Sequence, residues 1–571
     1  MKVNDKSFKR LFAIPGTLLA GIALVGLPSL LRPAHAQSVE PAVNVLVVTG
    51  NRHQTIEGWG TSLAWWTDTA IVSTPEWRSA YRQLGANILR IDMQKEALVA
   101  RNGDFRTPVR LSDDLESNIA LMDFTRDDIR VFGETAQWLS QNALEPDRVL
   151  IVGSIWSPPH WMKRPTGNSQ AWVGGNESRP TPWLSGEFSN AQTVVTGDSI
   201  GGRLATEDAE TLQQYGNYIA AWVAGFERTY ETSLYAISIQ NESTFENPFD
   251  SMVLNIAQSG AEDYRQYAIA LNAVREAWRR NGLSTRIKGP HVAQIGPTPS
   301  NPWSLLHQMR MIDAVRTFDD SSLIDFIDFY NSNYYMPATE EGAQATAAYL
   351  SGIDVVDADW ADWAEGRGLA ADGKPIWISE ASGEHPDWRN GPNGTAGDGA
   401  LSLAVKIFNA LAHANAVTYL YWQLTDDEVN PGLENLIGRS QVAQPLSSKK
   451  YVTYMHFSRY TRPGAVRIDA QFEDGTSTVH GASQYDALNG LSALAFLHEQ
   501  DRTLTSILLN ATGEDRIVSV ELPDDLRVAT FAAFRTSDTE DFSDLPPIPS
   551  LDTPAQVIVP AYSLVTLVGE F

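Results

Sequence analysis

From Ile56 to about Tyr460 the chain alternates short, unbroken apolar runs with longer stretches whose apolar residues recur every three or four positions. That alternation predicts strands buried on both faces, each followed by an amphipathic helix, which is the pattern of a parallel α/β barrel. Eight candidate strands lie near 58–62, 88–92, 149–154, 235–239, 287–289, 327–330, 376–379 and 418–422. Eight is the number a (β/α)8 barrel requires. The helical periodicity is clearest over 208–230, where Leu212, Tyr215, Ile219, Trp222, Val223 and Phe226 share one face, with Thr206 as candidate N-cap ahead of Glu207.

The pattern differs at both ends. Val-Asn-Val-Leu-Val-Val at 43–48, followed by a Thr-Gly-Asn turn, reads as a strand outside the barrel. From Pro463 onward, short β-type runs near 466–468, 492–497, 504–509, 517–522, 529–534 and 556–559 are separated by Gly and Asp turns, and 545–549 reads as a Pro-rich loop. This predicts an antiparallel β-sandwich that the 43–48 strand joins, a side domain built from both ends of the chain. The resulting division is a leader at 1–36, N-terminal strand at 37–55, barrel at 56–460 and C-terminal sandwich at 461–571.

The leader rests on Lys2, Lys6, Lys9 and Arg10, an apolar run over 11–31, and Ala34-His35-Ala36, with small residues where a signal peptidase reads. Export with cleavage after Ala36, to periplasm or medium, is expected. An uncleaved anchor competes less well, because Pro15, Gly16, Gly21, Gly26 and Pro28 interrupt the run. Cleavage would remove five basic residues and one acidic one, taking the net charge from −26 to −30. Such a surface disfavours nucleic acid and anionic membranes as partners. The chain has no cysteine, which excludes disulfides, thiolate nucleophiles and cysteine metal sites. Its ten histidines form no His-Glu-x-x-His pattern, so neither metal nor cofactor is expected.

Two apolar runs lead straight into a carboxylate: Ile237-Ser238-Ile239-Gln240-Asn241-Glu242 and Pro375-Ile376-Trp377-Ile378-Ser379-Glu380. A barrel collects its chemistry at the C-terminal ends of its strands, and two carboxylates there, one protonating and one attacking, are what glycoside hydrolysis needs. Asn241 is placed to hydrogen-bond a sugar hydroxyl, with the 2-position the expected one. Trp59, Trp65, Trp66, Trp156, Trp161, Trp377 and Trp422 gather at the expected mouth, where indoles stack on the C–H faces of sugars. Trp156, Trp161 and Trp422 are the candidate platforms, and core packing is the competing role for each. Glu246, Glu384 and Asp387 lie near enough in sequence to serve as subsite residues, with a catalytic role of their own as the lesser alternative. Gly197-Asp198-Ser199-Ile200-Gly201 matches a serine-hydrolase elbow, but Gly202 and Arg203 delay the helix that an elbow requires, so a loop is the expected outcome.

These residues carry a resemblance. Glu57-Gly58-Trp59-Gly60-Thr61-Ser62, Leu89-Arg90-Ile91-Asp92, Trp156-Ser157-Pro158-Pro159-His160-Trp161-Met162-Lys163, Gln240-Asn241-Glu242, Ile378-Ser379-Glu380 and the 456–464 junction are, in that order, similar to glycoside hydrolase family 30, in a clan of retaining (β/α)8-barrel enzymes. The resemblance implies a barrel with a side β-domain, Glu242 as acid/base and Glu380 as nucleophile. It also implies Arg90 beneath the nucleophile, holding it ionised, with purely structural pairing of Arg90 as the alternative. Tyr334 or Tyr335 would donate a hydrogen bond to Glu380.

The resemblance also bears on substrate. Relatives act on glucosylceramide, β-1,6-glucan, glucuronoxylan, β-xylosides and β-1,6-galactan. Gly-Trp-Gly-Thr-Ser-Leu-Ala-Trp-Trp from Gly58 is most similar to the endo-β-1,6-galactanase-like branch, departing from its pattern at Trp59 and Ala64. The acidic 423–428 segment lacks the basic residues a uronate pocket favours. The expectation is thus an exported retaining hydrolase of a β-linked glycan, galactanase-like first. A xylanase or glucuronoxylanase, a β-1,6-glucanase and a glucosylceramidase-like enzyme are the alternatives within the family. A non-catalytic carbohydrate-binding barrel and a serine esterase are those outside it.

Overall fold

The computed structural model describes residues 42–571 apart from 65–66, 100–107, 167–200, 247–249, 294–303, 320, 336–371, 390–398, 413, 427–431 and 479–489. The leader, Ser199 with the first four positions of its elbow motif, Trp65, Trp66, Asp427 and Glu428 lie outside the described residues. No helix among the described residues is long and apolar enough to cross a membrane.

Strand β1 (Val43–Thr55) precedes eight parallel strands: β2 (Gly58–Leu63), β3 (Ile88–Asp92), β4 (Leu150–Ser154), β5 (Leu234–Ser238), β6 (Arg286–Val292), β7 (Phe329–Asn333), β8 (Ile376–Glu380) and β9 (Ala416–Tyr421). They pair in chain order, and β9 returns to β2 to close the barrel. Ile88, Val152, Ala236, Phe329, Trp377 and Leu420 form an apolar cluster in the barrel strands. Trp377 stacks there on Tyr235 and is fully buried, so its expected place at the mouth is corrected to the core.

The Gly58-Trp59-Gly60 segment is used in packing. Trp59 is fully buried, donates from its indole nitrogen to the Thr461 carbonyl at 2.9 Å, and meets Tyr454 edge-on. It too is removed from the mouth. A Cβ on Gly60 would lie 1.7 Å from the Ile88 carbonyl oxygen, so only glycine permits this approach of β2 to β3.

The helix preceding β5 runs Ala209–Tyr230, and Asp208 rather than Thr206 caps it, accepting from the Thr211 amide at 2.9 Å. Thr206 instead donates to Gln266.

After the barrel come β10 (Val466–Phe472), β11 (Leu491–His498), β12 (Thr503–Asn510), β13 (Arg516–Glu521), β14 (Thr530–Thr536), β15 (Ser543–Pro549), β16 (Ala555–Val559) and β17 (Ser563–Glu570). With β1 they form one nine-stranded sheet in the order β15-β14-β17-β12-β11-β10-β1-β13-β16. The side domain therefore draws on both ends of the described chain. Its sheet is mixed rather than purely antiparallel, because β1 runs parallel to β13 while pairing antiparallel with β10. The expected loop at 545–549 is corrected to an edge strand, where prolines cost no ladder hydrogen bond.

Candidate active site

Arg90, from the middle of β3, is fully buried and organises the mouth. Its Nη1 donates to Glu380 Oε2 at 2.6 Å, its Nη2 to Asn241 Oδ1 at 2.5 Å and its Nε to Ser154 Oγ at 3.1 Å. The barrel register explains the convergence: Glu380 is the last residue of β8, Ser154 the last of β4, and Asn241 lies three residues beyond the end of β5. The bond to Arg90 also fixes the orientation of the Asn241 amide, with Oδ1 accepting and Nδ2 left as its donor. Glu380 accepts a second bond, at Oε1, from the phenol of Tyr335.

Tyr335, not Tyr334, is thus the hydrogen-bond donor. Tyr334 is fully buried, sits edge-on to Tyr419, and its amide donates to the Glu380 carbonyl at 2.7 Å. Its candidate ligand role is replaced by a core role. Trp161 is corrected in the same way: 1% exposed and edge-on to His160, it belongs to the main core.

Trp156 and Trp422 do meet at the mouth, ring centroids 5.9 Å apart, with Ala64 beside them. The Arg90 guanidinium lies 4.5 Å from the Trp156 centroid and 6.0 Å from that of Trp422. At 4% exposure each, they wall the guanidinium from water before they offer a face to a ligand.

Glu242 lies in the turn after β5 with a left-handed backbone, φ 49°, an uncommon conformation for a residue with a side chain. Its carbonyl closes the turn by accepting from the Phe245 amide at 2.8 Å. Asn333, at the end of β7, donates from Nδ2 to Glu242 Oε1 at 2.8 Å. Burial, and then the negative charge of Glu380, push the Glu242 carboxyl up to about 8, against the opposing pull of the Asn333 bond and Arg90. The site thus holds a carboxylate paired with a cation and a second carboxyl kept protonated near neutral pH, two states suited to two roles.

Beneath the pair lies a polar layer that the sequence reading did not single out. His291 Nε2 is 2.7 Å from Asn333 Oδ1 and 3.1 Å from Ser379 Oγ. With Asn333 donating to Glu242, its Oδ1 accepts a hydrogen bond from His291 Nε2, which fixes both the amide orientation and the imidazole tautomer. Burial and the nearby Arg90 and Lys288 hold His291 well below its usual range, hence neutral. Lys288, equally buried, donates to Ser238 Oγ at 2.9 Å and Ser154 Oγ at 3.2 Å, and burial lowers it strongly too.

Glu434 was likewise not anticipated. It accepts from Ser382 Oγ at 2.5 Å, and burial with the charge of Glu380 raises its carboxyl. Glu384 is committed elsewhere, to Lys406 and to the Tyr421 hydroxyl, and is buried. Asp387 is exposed beside His385. Among the described residues no cluster of acidic, histidine or cysteine side chains could hold a metal ion.

No family model matches the chain. Among solved structures it is similar to a GH30 endoxylanase from Clostridium papyrosolvens C71, at 16% identity over 92% of this chain and 100% of that one, TM-score 0.59. It is similar to the catalytic domain of GH30 xylanase C from Talaromyces cellulolyticus, with the same identity, coverage and TM-score. A third match is the endo-β1,6-glucanase BT3312, at 14% identity over 94% of this chain and 96% of that one, TM-score 0.58. At such low identity the likeness is one of architecture: the closed eight-stranded barrel and its attached sheet are what this chain has in common with these enzymes.

Proposed function

We propose that this protein is a glycoside hydrolase of the family 30 type that cleaves a β-linked glycan with retention. The observation that carries the reading is the opposed condition of two carboxyl groups at one barrel mouth: Glu380 ion-paired with Arg90, and Glu242 pushed up to about 8. Solved structures of the same architecture described as xylanases and a β-1,6-glucanase support it.

In this reading Glu380 attacks the anomeric carbon, the bond to the leaving oxygen breaks, and that oxygen takes the Glu242 proton. Water then attacks the same carbon, Glu242 accepts its proton, and Glu380 departs as a carboxylate. Asn241, fixed by Arg90, offers its Nδ2 to a sugar hydroxyl. No step calls for a metal or organic cofactor.

The glycan is a separate choice. The solved structures of similar architecture are described as xylanases and a β-1,6-glucanase, so the galactanase-like first-strand motif carries no preference over them and β-1,6-galactan, xylan and β-1,6-glucan stand level as proposed substrates. Purified protein incubated with each, products separated by chromatography and Glu380→Gln run alongside, distinguishes them. Release of sugars by the wild type and not by Glu380→Gln supports the reading. Equal release by both removes Glu380 from the chemistry, and an inverted anomer in early products by NMR overturns retention. Export is proposed as well, and N-terminal sequencing of secreted protein beginning at Gln37 would support it.

A further inference from the structure

Four residues beyond Glu242 the chain enters a cavity of about 620 Å3, lined by Arg164, Thr166, Arg203, Glu207, Glu246 and Gln258 among others. Its size is in the range of small-molecule sites. The segment that leads to its 256–260 wall is tied to the residue after Glu242, the Leu254 amide donating to the Ser243 carbonyl at 2.7 Å, and to the residue before Arg203, the Val253 amide donating to the Gly202 carbonyl at 2.8 Å. Phe245, next to Glu246 in sequence and on the same segment as Glu242, is 48% exposed. Among the described residues it is the one aromatic ring among the large apolar side chains left exposed.

The charges of the wall balance. Arg203 takes Glu207 with both amino nitrogens, at 2.7 and 2.9 Å, so that Arg164 meets the same carboxylate through Nε at 3.8 Å. Glu246 accepts from the Thr166 hydroxyl at 2.6 Å. Two guanidiniums and two carboxylates leave no net charge to select an ion. They do leave donors and acceptors side by side, which suits vicinal hydroxyls.

We infer that this cavity and Phe245 form a subsite for a neutral sugar ring of the departing chain, Phe245 stacking on its C–H face and Arg164 and Glu246 binding its hydroxyls. The inference rests on the glycosidase reading and deepens it. The acid protonates the leaving oxygen, so the sugar attached to that oxygen leaves on the side of Glu242, and Glu246, four residues further along the same segment, lines the cavity. Stacking on an aromatic face supplies apolar contact without consuming hydroxyls.

The test compares wild type, Phe245→Ala and Arg164→Gln on tetrasaccharides of β-1,6-galactose, β-1,4-xylose and β-1,6-glucose, and on the β-glycosyl fluorides of the same sugars, whose leaving group has no ring. On the tetrasaccharide that is cleaved, each variant should lose about tenfold in kcat/KM, mainly through KM, and the loss should be at least about fivefold greater than on the fluoride. Equal losses on the two substrates, or none, overturn the subsite while leaving the glycosidase intact. Absence of wild-type turnover on all three tetrasaccharides is a failure of the functional reading instead. The subsite is then read by calorimetric titration of the same tetrasaccharides into Glu380→Gln: weaker binding when Phe245→Ala or Arg164→Gln is added supports it, and unchanged or undetectable binding overturns it.

Discussion

Arg90 and Glu380, 290 positions apart, form an ion pair of 2.6 Å in which the guanidinium has no solvent exposure. The same guanidinium holds Asn241, so one side chain positions both the proposed nucleophile and a proposed sugar contact. Lysine is a point charge and cannot serve two partners in a fixed fork. Arg90→Lys should therefore fold, lose some thermal stability, and fall at least about a hundredfold in kcat/KM, close to 2.7 kcal/mol of transition-state stabilisation. Kinetics beside a thermal melt check this; kcat/KM within about threefold of wild type would show that the fork is not what positions Glu380.

A glycosyl fluoride needs little help from an acid, whereas a sugar leaving group needs a proton. Glu242→Gln should lose about 1,000-fold or more on glycan, yet still release fluoride in a first-turnover burst, because the base for the second step is also gone. Added azide should restore turnover and yield a β-glycosyl azide, visible by NMR. Identical losses on both substrates would place the acid on another residue, with Glu434 next to be examined.

The Asn333 bond to Glu242 favours the charged form of that carboxyl and opposes the upward push of burial and of Glu380. Removing it raises the Glu242 pKa further. Because the first step needs Glu242 protonated, wild-type kcat/KM should decline as pH rises through about 8. In Asn333→Ala this basic limb should move to higher pH, with lower activity overall. A pH–rate profile of both proteins decides it, and a limb that moves downward or stays put would show that Asn333 does not tune Glu242.

The barrel was legible because strands covered on both faces are continuous apolar runs, and all eight candidates overlap real strands. The reading weakened where polar residues enter the interior. The sixth barrel strand, expected to stop at Tyr330, continues through Asn331, Ser332 and Asn333, all with no solvent exposure, and its polar end is what reaches Glu242 and His291. Apolar periodicity hides the polar floor of a catalytic barrel by construction. Glu380 ends its strand as expected, whereas Glu242 lies four residues past the end of its own, in a left-handed turn no hydrophobic pattern encodes. In the side domain, prolines disguised Ser543–Pro549, while Ser563–Glu570 was passed over although Leu564-Val565-Thr566-Leu567-Val568 is a plain β signal. Among the tryptophans, type alone could not separate the buried Trp59, Trp161 and Trp377 from the pair that flanks Arg90.

His456 fastens the barrel to the side sheet and should make that junction sensitive to acid. It lies on the helix Lys449–Ser458, with Nδ1 2.8 Å from the Thr566 hydroxyl of β17 and Nε2 2.8 Å from the Thr536 hydroxyl of β14. Burial depresses it from 6.5 to about 3. A histidine lowered on folding stays neutral in the folded chain while the unfolded chain takes up a proton, so its contribution is complete above about 6.5 and is lost as pH falls toward 3. At pH 5 the loss is about 2 kcal/mol. His456→Gln keeps a donor and an acceptor but cannot titrate. Its melting temperature should fall less steeply than that of the wild type between pH 6.5 and 4.5, because carboxylate effects are common to both proteins and cancel in the difference. Parallel melting curves across that window would remove His456 as the acid-sensitive fastening.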